Sequence, residues 1–293
     1  PRPGEPVTLT LDLAIQQAAE TALQGKSGAA VALDPATGDV LALVSTPNYD
    51  LNRMSGRITP QMLAWLRSAR RPELNRATCG VYPPGSVFKI VTAAAALEAG
   101  KLSPDASFSC HGVYHKIHCW KRGGHGPVSF TDAIAQSCNV AFMQMAEQVG
   151  IATLERMAAR FALGQAVELL PRVAPLLADP NAPTPRLTGI IPEQAGLVPG
   201  PRWAKQVRRS PWMLGETLQV GIGQSSLGVT PLQAARIVAA FANGGRLVHP
   251  RLVLRVGHAP VDVQPPTPLG LKAGTLTRIA RGLRAVTQGE GTA

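Results

Sequence analysis

The sequence predicts an α/β (α+β) fold, and three observations carry that prediction. Ala29 to Asp34 and Val40 to Thr46 are apolar, strand-forming runs on either side of Pro35-Ala36-Thr37-Gly38, the pattern of an antiparallel hairpin. Val87 to Glu98 is apolar, rich in alanine and free of Gly and Pro, which predicts a buried helix. Helical spacing also appears near both ends, in Leu13 to Leu23 and in Thr275 to Val286.

The first helix is expected behind a cap at Asp12, with Ile15, Ala18, Ala19, Ala22 and Leu23 on one face. After the hairpin, Pro60 to Ala69 reads as a helix, followed by the 87–98 helix behind the turn Pro83-Pro84-Gly85. Residues 103–128 read as irregular, and Ser129 to Ala135 as a short capped helix. Ala141 to Gly150 and Thr153 to Phe161 are predicted helical. Residues 164–211 are rich in proline and lack periodicity, which suggests a long surface excursion. Thr217 to Ile222 suggests a strand or extended segment, Leu232 to Ala242 a helix stopped by Asn243-Gly244-Gly245, and Val248 to Val256 a strand interrupted by Pro250. No internal repeat and no dividing linker is visible.

Composition narrows the function classes. Hydrophobic residues make up 45% and charged residues 16% of 293 residues, which argues for a packed core and against disorder. No apolar run reaches the ~20 residues that span a bilayer. A net charge of +11 raises a nucleic-acid role, but the charges are dispersed and aromatics are only 4%, too few for a base-stacking platform. The densest basic patch is Arg202-Trp203-Ala204-Lys205-Gln206-Val207-Arg208-Arg209, suited at most to anionic head groups or anionic wall polymers.

The chemistry starts at Ser86, three residues before Lys89. Residues three apart share a helix face, so Lys89 Nζ can reach Ser86 Oγ. A serine hydroxyl becomes a nucleophile when a neighbour takes its proton, and a lysine withdrawn from water can do so because burial lowers its pKa. Alone, this spacing also fits a capping serine beside a solvated lysine. The preceding Tyr82-Pro83-Pro84-Gly85 and the alanine-rich helix behind argue for the chemical reading. A second cluster follows the short capped helix: Gln136-Ser137-Cys138-Asn139.

Ser86, Lys89, Ser137 and Asn139 together match the S-x-x-K and S-x-N elements of penicillin-recognising serine acyl-transferases. The Gly28 to Pro47 hairpin, Asn75-Arg76-Ala77, Gly221-Ile222-Gly223-Gln224, Val229-Thr230-Pro231-Leu232-Gln233 and Ala242-Asn243-Gly244-Gly245 match further landmarks of that family. The chain resembles the transpeptidase domain of class B penicillin-binding proteins along nearly its whole length. Cys119-Trp120-Lys121-Arg122-Gly123-Gly124-His125-Gly126 favours the elongation type, penicillin-binding protein 2, over the division type.

The resemblance implies one transpeptidase domain over 1–293, an antiparallel sheet flanked by helices plus a mostly helical lobe at roughly 50–215. It implies an N-terminal membrane anchor and pedestal ahead of residue 1. It also implies a Lys-Thr-Gly strand just after Gly291-Thr292-Ala293, without which the cleft lacks one wall and this fragment is expected to be inactive. The implied substrate is the D-alanyl-D-alanine end of a peptidoglycan stem peptide. Ser86 would attack it, Lys89 would act as base, Ser137 would relay a proton to the leaving amine, and Asn139 would position Lys89 and substrate. β-Lactams would trap Ser86 as an ester. The implied setting is the periplasmic face of the cytoplasmic membrane, beside a polytopic glycan polymerase reached through the anchor and pedestal. A serine β-lactamase or β-lactam sensor shares the first two motifs, and a non-catalytic scaffold shares the fold.

Four cysteines remain: Cys79, Cys110, Cys119 and Cys138. Two disulfides are the simple expectation outside the cytoplasm. Cys110, Cys119, His125 and Cys138 instead offer a Cys₃His set suited to tetrahedral structural zinc, and Gly123-Gly124-His125-Gly126 lets the backbone turn around a ligand. Relatives with a metal beside the second motif favour zinc over a Cys110–Cys119 disulfide. His111, His115 and His118 are expected to be exposed, Cys79 a buried free thiol, and Met143 and Met145 core residues.

Overall fold

A computed structural model describes residues 5–103, 105–169, 192–288 and 291–292. The helix Leu13–Ala22 starts at Asp12, whose carboxylate accepts from the backbone of Ala14 and Ile15. It lies along the hairpin formed by Gly28–Leu33 and Val40–Thr46, where the Gln16 amide oxygen takes the Leu43 N–H at 2.9 Å. Along the second strand Val40, Ala42 and Val44 are buried in alternation, the period of a pleated strand with one face on a core. Val253–Val256 pairs with Val7–Leu9 on one side and Ala259–Pro260 on the other, all antiparallel. Arg251 joins this end to the hairpin turn through Asp39, 2.7 Å from its Nε.

The helical part is built around Lys89–Glu98. Every residue from Lys89 to Ala96 is buried. A helix apolar all round belongs in a core, and the alanines at 93–96 let neighbours approach on all sides. Asn139–Val149, Ile151–Arg160 and Ala273–Val286 pack against it. Phe88, Phe142, Met143, Met145 and Leu154 are fully buried in the larger of two core clusters, while Val40, Leu169, Leu232 and Leu252 form the smaller.

Three sequence expectations are revised. Thr217 to Gly221 lies in the helix Leu214–Gly221 and Ile222 caps it, rather than forming a strand or extended segment. Its β-branched residues suggested a strand, but burial at 217, 218, 220 and 221 follows the helical period. Residues 103–128 hold two small antiparallel ladders, Ser107–Cys110 with Gly126–Ser129 and Val113–Tyr114 with Ile117–His118. The second turns through His115 and Lys116, both at positive φ and neither a residue that signals such a turn. The expected excursion over 164–211 falls partly outside the described residues, and its described part contains helical turns at Pro201–Trp203 and Ala204–Arg208.

Among the described residues no helix is long and apolar enough to cross a membrane.

Candidate active site

Ser86 sits in a single 3₁₀ turn, Gly85–Phe88, that runs directly into the Lys89–Glu98 helix. In 3₁₀ geometry residues three apart eclipse, which stacks Lys89 behind Ser86. The turn is fastened from outside. The Gly85 N–H donates to Gly223 O at 2.9 Å, and Tyr82 and Val229 exchange backbone hydrogen bonds, each 2.9 Å. Val229 leads into Thr230, which caps the Pro231–Ala242 helix in a capping box with Gln233. Thr92 Oγ1 donates to Gly221 O at 2.8 Å. The landmarks at 221–224 and 229–233 therefore act as supports for the Ser86 turn.

The second motif joins two helices. Phe130–Ala135 starts at Ser129, which accepts the Asp132 N–H at 3.1 Å, and ends in a turn carrying Ser137 at φ 50°. Asn139 begins the next helix. Lys89, 4% exposed, points into this turn. Its Nζ donates to Ser137 O at 2.7 Å, Ser137 Oγ at 2.9 Å and Asn139 Oδ1 at 2.7 Å. Ser137 Oγ donates in turn to Ser86 Oγ at 2.8 Å. Lys89 thus meets Ser86 through the Ser137 hydroxyl. Asn139 Nδ2 donates to His118 O at 3.3 Å, which settles the orientation of its amide.

Burial lowers the Lys89 pKa to about 8, against a smaller opposing pull from Cys119 and Cys138. An ammonium with three acceptors and a pKa near neutrality holds an appreciable neutral fraction, as a proton acceptor requires.

Behind Asn139 the four predicted metal ligands converge. The side-chain donor atoms of Cys110, Cys119, His125 and Cys138 all lie within 4.8 Å of one another. The three cysteines are buried and all four of the chain's cysteines are free thiols, so the structure holds none of the disulfides weighed as the alternative to zinc. His125 Nδ1 lies 3.5 Å from Cys110 Sγ and 3.6 Å from Cys119 Sγ, while its buried Nε2 has no hydrogen-bond partner. Burial holds His125 below the usual imidazole range and pushes the Cys138 thiol up. Burial also raises Cys119, but amide donors from Lys121, Val140 and Asn139 outweigh it and leave this thiol below its usual range. His111, His115 and His118 are exposed, and Met143 and Met145 are buried in the core. Cys79 is half-buried rather than buried, its thiol directed at Pro192 O at 2.8 Å.

Two features of the site had no sequence signal: the His118 carbonyl that orients Asn139, and a hydrogen bond from Trp120 Nε1 to Gln136 O at 3.0 Å. Both arise from the folding of the 110–125 loop onto the Ser137 turn.

Residues 28–180 and 183–293 match the model of the penicillin binding protein transpeptidase domain. The chain is 38% identical over 267 residues to the peptidoglycan D,D-transpeptidase MrdA of Acinetobacter baumannii, covering 88% of this chain and 36% of that relative. The chain therefore spans little more than a third of that relative's length. Among solved structures it resembles Pseudomonas aeruginosa PBP2 in complex with WCK 5153, with a TM-score of 0.86 and 37% identity over 100% of this chain and 62% of that one. It also resembles a chain of a peptidoglycan synthase complex described as coordinating polymerization and crosslinking, with a TM-score of 0.80 and 35% identity over 97% of this chain and 49% of that one. With the fold, the four convergent side chains and these matches in agreement, the chain belongs to the penicillin binding protein transpeptidase family, as a class B domain of the penicillin-binding protein 2 type.

Proposed function

We propose that this chain is the transpeptidase domain of a peptidoglycan D,D-transpeptidase of cell elongation, spanning 1–293 with a helical lobe at roughly 50–215, and that Ser86 is its nucleophile. The observation that carries this reading is the hydrogen-bonded chain Lys89–Ser137–Ser86. Hydroxyl protons rotate freely, so the chain can run in either direction. With Lys89 neutral, the Ser86 proton passes towards Lys89 as Oγ attacks the penultimate carbonyl of a D-alanyl-D-alanine stem. Ser137 then delivers a proton to the departing amine, D-alanine leaves, and a Ser86 ester remains. The Ser86 N–H supplies one donor to the developing oxyanion. An amine from a second stem attacks the ester, forms the cross-link and frees Ser86. Asn139 keeps Lys89 and the substrate amide in register.

β-Lactams acylate the same hydroxyl. In the full-length protein, penicillin mass should appear on the peptide containing Ser86, and Ser86→Ala should remove it. Label on another serine would overturn the assignment. The family model and MrdA similarity support this reading over a β-lactamase or sensor, as does the intact set of four residues over a scaffold. The setting that follows is the periplasmic face of the cytoplasmic membrane. A glycan polymerase would be the partner, reached through regions outside this domain, as the likeness to the synthase-complex chain supports.

The Cys₃His cluster of Cys110, Cys119, His125 and Cys138 would hold structural zinc. Tetrahedral zinc with Zn–S of about 2.3 Å and Zn–N of about 2.0 Å puts N and S about 3.5 Å apart. That agrees with the 3.5 and 3.6 Å seen from His125 Nδ1. Four protein ligands leave no position for a reactive water, so the metal would fasten the 110–125 loop to the Ser137 turn. Protein purified without chelator should contain about one zinc per chain. A metal-free protein with Cys110 joined to Cys119 would refute the assignment.

A further inference from the structure

Ser137 is in a strained place. At φ 50° it occupies the left-handed region, which is sterically unfavourable for a residue with a Cβ. The cost arises because Ser137 closes the Phe130–Ala135 helix. The Cys138 N–H returns to Ala133 O and the Ser137 N–H to Ile134 O, each at 3.0 Å. These two bonds define a helix-ending motif whose left-handed position is usually glycine.

The carbonyls of this helix end can be accounted for one by one. Asp132 O takes the Gln136 N–H at 2.8 Å, Ala133 O and Ile134 O take the two bonds above, and Ala135 O takes the Thr292 N–H at 3.2 Å. That leaves Gln136 O, which receives the indole N–H of Trp120 at 3.0 Å. Gln136 O belongs to the peptide whose N–H is that of Ser137. One end of this peptide is tied to Ile134 and the other to Trp120. The following peptide is tied by Lys89 Nζ to Ser137 O and by Cys138 N to Ala133 O. Both backbone torsions of Ser137 are thereby pinned, and among these bonds Trp120 supplies the one that comes from a side chain outside the first two motifs. Trp120 is 57% exposed, so core burial does not explain its position. Its ring instead meets the His125 ring edge-on, with centroids 5.2 Å apart.

We propose that Trp120 is a positioning residue for acylation. Its indole N–H holds the Gln136–Ser137 peptide and so keeps Ser137 Oγ on the line between Lys89 and Ser86. The inference rests on the acyl-transfer reading of the site. It links the cysteine-bearing loop to the reaction through one hydrogen bond, independently of whether metal is bound.

The test replaces one atom. In the full-length protein, Trp120 is exchanged for 3-benzothienylalanine, which keeps the bicyclic shape and puts sulfur where the N–H was. Trp120→Phe serves as a second variant, retaining an aromatic ring without a donor. Stopped-flow acylation by a fluorescent penicillin separates the acylation constant k2 from the binding constant Kd. Hydrogen–deuterium exchange on the peptide covering 130–140 reads the pin directly. Both variants should lower k2 by about 3- to 10-fold, the loss of one hydrogen bond. Kd and metal content should stay at the wild-type value, the thermal midpoint should fall by no more than the loss of one hydrogen bond accounts for, and exchange at 136–138 should quicken. Unchanged k2 in the isosteric variant overturns the inference. A raised Kd with unchanged k2 also overturns it, making Trp120 a ligand contact. Wild-type protein that takes no label at Ser86 overturns instead the reading on which the inference rests.

Discussion

Replacing Gly223 by alanine should damage acylation through its backbone contact with Gly85, next to Ser86. Gly223 has φ 74°, and a Cβ there would lie 2.0 Å from Gly85 O and 2.7 Å from Gly85 N. To reach an ordinary contact at 3.4 Å the two segments must part by about 1.4 Å. The 2.9 Å hydrogen bond from Gly85 N to Gly223 O holds the turn carrying Ser86 and would break in the same movement. A displacement on the order of 1 Å at a reacting group costs about 100-fold in rate. The left-handed backbone adds about 1–2 kcal/mol of destabilisation. Gly244→Ala is the control. Gly244 has φ 80°, but a Cβ added there would meet nothing within 4 Å, so it carries the backbone penalty without the clash. In the full-length protein, denaturant unfolding should show both variants destabilised, and labelling with a fluorescent penicillin should show only Gly223→Ala slowed, by about 100-fold. Equal acylation by the two variants would refute the claim that the Gly85–Gly223 contact positions Ser86.

The second-order acylation constant should climb about tenfold from pH 7 to pH 9 and then level, because protonated Lys89 cannot accept a proton and its pKa is lowered to about 8. A lysine left at 10.5 would instead give a rise of about 100-fold over that range. Lys89→Arg, which stays charged, should cut acylation by orders of magnitude with the circular dichroism spectrum retained. Thr230→Ala removes the side chain that accepts the Gln233 N–H at 3.2 Å and should cost about 1 kcal/mol in denaturant unfolding. Cys138→Ser should lower metal content and thermal midpoint together and slow acylation without moving the label from Ser86, as read by elemental analysis, calorimetry and mass spectrometry.

What could be read from sequence was local or short-ranged. The Gly28–Leu33 and Val40–Thr46 hairpin, the alanine helix behind Ser86 and the Ser129 cap follow from composition, turn chemistry and spacing over a few residues. The four candidate acyl-transfer residues and the four candidate zinc ligands could be named from residue type and order, but the direct reach from Lys89 Nζ to Ser86 Oγ expected from their three-residue interval is replaced by a link through Ser137 Oγ. Tertiary structure decided the rest. Leu214–Gly221 is a helix because its buried positions face other helices, a preference that β-branched residues hide in one dimension. The Ser137 hydroxyl lies between Lys89 and Ser86 because the segment carrying those two residues packs against the Ser137 turn, about 50 residues further along the chain. The Trp120 N–H finds Gln136 O, and Gly223 finds Gly85, across sequence separations that no periodicity records. Motif spacing carries the identity of the reacting groups. Their aim depends on backbone carbonyls and amides, which are the same in every residue and so leave no mark in a sequence.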